Sequence, residues 1–208
     1  MKYFLFLGAV LTLGCIIQVS TYQGLTIVSS DSLSYRNSMH GTGEQKLLDF
    51  GPSDDYYDLR AIDTATLHHE SVIAMAKDAI QKSKNPHVLK IANEMIDKHS
   101  KQQKILSQWR SRWYPDVLNV PISWHPHLEK QWAMPIEQIQ GIQMMEVLND
   151  QEVNYDKKFL NAMIKHHQTS LAIAQEIKDK SPRRLIRRIG LDMFDYSQDK
   201  LREMTVVQ

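Results

Sequence analysis

Cysteine is almost absent: Cys15 is the only one in 208 residues, and it lies inside an apolar N-terminal stretch. The remainder of the chain can form no disulfide and no thiolate metal site. Glycine and proline are few, at eight and seven residues, as in a globular domain. An excess of one charge is also lacking. The net charge of +1 provides no general attraction for nucleic acid or acidic membranes. The basic run RRLIRR (Arg183 to Arg188) is local and reads as a solvated helix face. Catalytic signatures are missing as well. No G-x-S-x-G occurs, and neither does the Glu-x-x-His that di-iron bundles place on two helices. The chain is therefore expected not to be an enzyme.

At the N-terminus, Tyr3 to Val19 is nearly all apolar, and no charge follows Lys2 until Asp31. About 17 to 20 apolar residues can just span a bilayer, whereas a cleaved signal has a shorter apolar core. Residues 1–22 are thus expected to form a hydrophobic helix acting as a signal anchor, with the protein on the extracytoplasmic side. Cleavage near Ser29 or Ser30 would instead make it secreted or periplasmic. LTLGC, ending at Cys15, departs from a lipoprotein box because Thr12 stands where Leu is wanted. Residues 23–52, rich in Ser, Gly, Thr and Asn towards Pro52, read as a flexible tether.

The rest, 53–208, contains an internal similarity at an offset of 98 residues. Tyr57–Leu106 laid on Tyr155–Met204 without a gap gives 11 identities in 50 positions, among them the His pairs, Met95/Met193 and Asp97/Asp195. Each copy reads as a helical hairpin: copy one over 57–109, a Pro- and Trp-rich crossover over 110–152, copy two over 153–206. Apolar Ile62, Ala65, Val72, Ile73, Ala76 and Ile80 follow helical spacing. SKNPH (Ser83 to His87) breaks the first hairpin, with Pro86 suited to the opening turn of the next helix. In the second, Ser181 reads as an N-cap before Pro182. A helix is expected around Ile136 to Leu148. No stretch shows convincing strand alternation, so the predicted fold is all-α, an antiparallel four-helix bundle.

The histidines occupy unexpected places on these helices. His69 is in step with Ala65, Val72, Ile73 and Ala76, and His167 with Met163, Ile164, Leu171 and Ala174, so both belong to buried stripes. His68 and His166 lie about 100° round the helix, at the stripe's edge. Met163 can reach either His166 or His167, and Met75 lies two turns beyond His68. Met95 and His99 share the apolar face of the following helix; Met193 repeats Met95, and Ser197 replaces His99. A buried imidazole without a partner costs about 1–3 kcal/mol, so such a cluster asks for compensation. Thioether ligands favour Cu(I), and mixed Met/His sites also admit Cu(II) or Ag(I). The candidate metal ligands are His68, His69, Met75, Met95, His99, Met163, His166, His167 and Met193. Because only neutral imidazole binds, affinity is expected to weaken below about pH 6.5. Taken singly, each methionine is ordinary core filler. His125 and His127, in WHPHLEKQW, read as a turn packed by Trp124 and Trp132. Met39 and His40 lie in the tether, and His87 reads as surface.

FLNAMIKHHQ (Phe159 to Gln168) resembles the signature of the domain-of-unknown-function family 305, and IANEMIDKHSKQQKILSQW resembles that family's second helix. The resemblance covers most of Tyr57 to Met204 and implies two tandem copies in a ferritin-like four-helix bundle. Members are usually exported and linked to copper binding and copper resistance. Met163, His166 and His167 match the motif directly; His68, His69 and Met75 match it in the first copy. Ala65 replaces the first-copy Met, Glu70 replaces Gln, Ile173 replaces the later Met, and His99 stands where the family tends to have Gln.

The resulting expectation is an exported or membrane-tethered copper protein that sequesters the ion or hands it on. Its partners would be the metal ion, a membrane through the N-terminal segment, and either a second copy or another membrane-associated protein, with no nucleic acid. The alternative is a metal-free structural or interaction protein displayed on a membrane. That reading leaves the two His pairs unexplained.

Overall fold

The computed structural model describes residues 19–22, 25–28, 48–143 and 154–206. Among these, helix predominates, in five helices accompanied by two small two-stranded antiparallel sheets. Helix α1 spans Tyr57–Lys82 and α2 spans Pro86–Trp113. The break between them falls where the sequence placed it. The Asn85 side chain accepts from the His87 backbone N–H at 2.9 Å, and Pro86 occupies the first turn, where its missing N–H costs nothing. The crossover carries a short helix, α3 (Ile136–Gln143); α4 (Tyr155–Lys180) and α5 (Arg184–Val206) complete the set.

Helices α1 and α2 pack along each other, as do α4 and α5, and α1 lies against α4. Reciprocal polar contacts align the α1–α4 pair. Tyr57 Oη donates to the Glu176 carbonyl at 2.9 Å, and Tyr155 Oη donates to Asp78 at 3.0 Å. Ser83, just past the end of α1, donates to Asp156 in the first turn of α4 at 2.6 Å. Ser181, just past the end of α4, donates to Asp58 in the first turn of α1. The start of each helix therefore meets the end of the other, so the two run antiparallel. These contacts correct the expected cap: Ser181 closes α4 rather than opening α5, because its hydroxyl is held by a buried carboxylate across the interface.

Strands are present where none was expected. β1 (Val19–Tyr22) pairs with β2 (Leu25–Val28), at the end of the expected anchor and within the expected tether. β3 (Ile122–His125) pairs with β4 (Lys130–Ala133), Ile122 opposite Ala133 and His125 opposite Lys130. Ile122, Ser123 and His125 are all buried, so β3 shows no in–out alternation for a sequence to reveal. This hairpin is fastened to the helices by Asp63. Its carboxylate accepts from Arg110 Nε at 2.6 Å and from the Ile122 N–H at 2.9 Å, while Arg110 also donates to the Leu118 and Val120 carbonyls.

The part of the expected anchor before Val19, residues 23, 24 and 29–47 of the expected tether, and the part of the expected crossover helix beyond Gln143 lie outside the described residues. Among those described, no helix is long and apolar enough to cross a membrane.

Two large apolar clusters lie along the long helices, and a small third one, Leu67 with Met134 and Ile142, packs α1 against α3 and the residues before it. One large cluster joins Leu59, Ile62, Ala65 and Leu106 to Ile173, Ile177, Ile186 and Met193. The other joins Val72, Ala76 and Ile91 to Phe159 and to Met75, Met95, Met163 and Met204. Between these two large clusters the buried residues are, Leu67 apart, polar: His68, His69 and Ser71 on α1, His99 and Gln102 on α2, His166, His167 and Ser170 on α4, Ser197 on α5.

Candidate metal centre

This polar layer brings together five histidines. His68 and His166 stack face to face, with centroids 4.0 Å apart and planes 8° from parallel. His99 stands edge-on to His69 at 4.9 Å and to His166 at 5.5 Å, and His167 is edge-on to His166 at 5.1 Å. All five are buried. Both ring nitrogens of His68, His69 and His166, and Nε2 of His167, have no hydrogen-bond partner. Gln102 lies beside His69 and the Ile142 backbone beside His68, close enough to offset a little of the burial but without hydrogen-bond geometry.

Two rings have their tautomer set by their neighbours. His99 Nδ1 lies 2.8 Å from the Met95 carbonyl, which can only accept, so Nδ1 carries the proton and Nε2 the lone pair. His167 Nδ1 lies 3.3 Å from Ser197 Oγ, whose own proton is donated to Ser170 at 2.9 Å. His167 Nδ1 is then the donor, leaving Nε2 as a free base. Such outer partners are what orient a metal-binding imidazole.

Burial keeps all five rings neutral. It pushes the pKa of His68 and His167 down to about 3 and that of His99 to about 4. His69 and His166 are also held well below the ordinary imidazole value, by burial first and by neighbouring imidazoles second. Neutral imidazole is the ligating form.

Of the candidate methionines, Met75, Met95 and Met163 lie in the apolar cluster on one side of the layer. Met193 does not join them: it packs in the other cluster, with Ile173 and Ile177. Sequence reasoning missed Met204, which gives that same side a methionine from each long helix, because its counterpart in the offset alignment is Leu106. It also missed Tyr196, whose ring touches His99 at 5.9 Å and His167 at 5.8 Å and whose hydroxyl donates to the Met95 sulfur at 3.7 Å. A tyrosine on a helix edge carries no signal of what the neighbouring helix will place against it.

Among the described residues, no three His, Cys, Asp or Glu side chains converge as a ready-made metal cage. The donor set nonetheless fits a borderline or soft ion: neutral imidazoles with unused nitrogens, thioethers on one side and no carboxylate in the layer. Outside the layer, His125 packs on Trp132 at 4.3 Å and its Nδ1 accepts from the Leu128 N–H, as a turn residue would. His87 is half-buried rather than at the surface. Met39 and His40 lie outside the described residues.

Fold and site together define a helical protein whose core is crossed by a layer of neutral, under-partnered histidines. The chain belongs to the family described as domain of unknown function DUF305, which matches residues 59–207. Solved structures of similar fold include CopM in its Cu(I)-bound form, 23% identical, with a TM-score of 0.54 over 71% of this chain and 92% of that one. CopM in its Cu(II)-bound form is 22% identical, with a TM-score of 0.55 over 71% and 93%. A DUF305 fragment from Deinococcus radiodurans is 18% identical, with a TM-score of 0.52 over 75% and 97%. No curated protein matches the chain in sequence.

Proposed function

We propose that this chain is a non-catalytic copper-binding protein, exported or tethered to a membrane by its N-terminal segment, that sequesters the ion or hands it on. One observation carries this reading: seven ring nitrogens on four buried histidines have no partner. A core that needed only packing would place leucine there. The ligands would come from His68, His69, His99, His166 and His167, with thioethers from Met75, Met95 and Met163. The likeness to CopM, whose structures hold Cu(I), Cu(II) and Ag, supports the choice of ion.

The same reading takes 53–208 as an antiparallel four-helix bundle of two tandem hairpins. The paired contacts Tyr57–Glu176 with Tyr155–Asp78, and Ser83–Asp156 with Ser181–Asp58, support it, since each pair is related by the 98-residue offset. The donors do not converge on one point, so binding requires rings to turn. The stacked His68 and His166 are the pair with most to gain by separating onto one ion.

Copper titration of the full chain, followed by X-ray absorption at the copper edge, tests the proposal. Mixed nitrogen and sulfur scattering, lost when His166, His167 and Met163 are replaced together, is the expected result. If copper does not bind against a buffer competitor, the metal reading fails and the metal-free structural reading takes its place.

A further inference from the structure

An ion bound in this layer must cross the shell of helices, and the shell is not closed evenly. α1 packs on α2, α4 on α5 and α1 on α4, but the backbones of α2 and α5 stay apart and meet through long side chains. Two members of the layer face this side: Gln102 bonds across to Asp192, and the His99 ring packs on Tyr196. One oxygen of Asp192, on α5, accepts from Lys98 Nζ at 2.7 Å and from Gln102 Nε2 at 2.8 Å, both on α2. Gln102 also borders His69. Tyr196 fills the seam beside them, its ring centroid 5.2 Å from Lys98 Nζ.

We propose that the seam between α2 and α5 is the ion's way in and out, with Lys98, Gln102 and Asp192 as its gate. This rests on the copper reading above. In the closed state the Lys98 ammonium sits over the seam and repels an approaching cation, while the Gln102 amide seals the space between the solvent and His69. Asp192 holds both side chains in place; when its bonds to them break, Lys98 and Gln102 swing out together and clear the path to His69 and His99. The latch is easily opened, because its carboxylate is 49% exposed and exposed ion pairs are weak. On the other faces the helix backbones approach more closely, above all between α1 and α2 and between α4 and α5.

The test compares the full-length wild type with Asp192→Ala, and with Asp192→Asn as a milder variant that keeps the side-chain shape. Cu(II) uptake is followed by stopped-flow fluorescence, and release by transfer to a chelator. Without copper, the rate at which diethyl pyrocarbonate modifies the layer histidines is measured. Loss of the latch is expected to speed uptake and release together by about tenfold, a barrier lower by about 1.4 kcal/mol, with Kd unchanged. Histidine modification should accelerate in parallel. The control Asp97→Ala, which removes only a solvent-exposed pair with Lys101 on α2, should change neither rate. Unchanged uptake and modification in both Asp192 variants, with copper still bound, overturns the gate and leaves the copper reading intact. A weakened Kd overturns it too, because Asp192 would then act as a ligand. Failure of the wild type to bind copper overturns the reading on which the gate rests, whatever the modification rates show.

Discussion

A buried imidazole with neither nitrogen paired costs about 1–3 kcal/mol. Several of these together rival the 5–15 kcal/mol by which a whole domain is usually stable. His68, His69 and His166 are in that position. Replacing one with a residue of similar bulk should therefore stabilise the metal-free protein. His166→Leu is expected to raise the unfolding free energy by about 1–2 kcal/mol while weakening copper binding, both read by urea titration with and without copper. A loss of stability in the metal-free state would mean that the ring has a partner after all. His99 should behave differently, because its Nδ1–H bond to the Met95 carbonyl already satisfies half of it. Acid sensitivity follows from the same rings. Unfolded, each titrates near 6.5; folded, His68, His167 and His99 titrate only at about 3 to 4. The unfolded chain thus binds more protons below pH 6.5, and stability is complete above that value and falls as the pH drops. Each ring contributes a slope of about 1.4 kcal/mol per pH unit. Circular dichroism against pH should show cooperative unfolding well above pH 4, shifted to lower pH in His166→Leu. A fold that persists to pH 3 would contradict the burial of these rings.

At the scale of elements, the helices are held by a few contacts that the sequence does not advertise. Gly190 on α5 faces α4 so closely that a Cβ there would lie 2.7 Å from the Lys178 backbone nitrogen and 3.1 Å from the Ala174 carbonyl oxygen. Its counterpart in the offset alignment is Ala92, so sequence comparison would suggest that alanine is harmless. Gly190→Ala is instead expected to destabilise by about 1–3 kcal/mol through overpacking, despite its gain in helix propensity. A neutral or stabilising result in thermal unfolding would show that α4 and α5 can separate without penalty. The β3–β4 hairpin depends on Asp63, whose burial raises its pKa while Arg110 opposes that rise. Arg110→Ala would leave the buried Asp63 carboxylate without its cation and release the Leu118 and Val120 carbonyls, at a cost of about 3–5 kcal/mol in urea unfolding.

For the whole molecule, the copper reading makes burial decide how protons would compete with the ion. An ordinary imidazole would release the ion as it titrates near pH 6.5. Here the folded rings stay neutral well below that value, so acid acts by unfolding the protein rather than by titrating the ligands in place. Copper should accordingly protect against acid as well as heat. At a free ion concentration of 100 times Kd, binding to the native state adds about 2.7 kcal/mol. For a domain of this size that raises the Tm by about 5–10 °C, measurable by calorimetry. The gain should vanish in the triple variant of Met163, His166 and His167.

Local rules made the long helices legible. Apolar spacing located α1, α2, α4 and α5, and Pro86 after Asn85 marked the first break, because helix periodicity and capping act within a few residues. The His pairs stood out for the same reason, as imidazoles inside stripes that should be apolar. The β3–β4 hairpin was hidden, since β3 is buried along most of its length and period-two alternation is lost. His99 stood out too, four residues from Met95 on an apolar face, but only the tertiary structure decided that Met204 would replace Met193 among the methionines and that Tyr196 would lie between His99 and His167. Those outcomes depend on the depth at which antiparallel helices cross, a distance between residues far apart in the chain that no local pattern encodes.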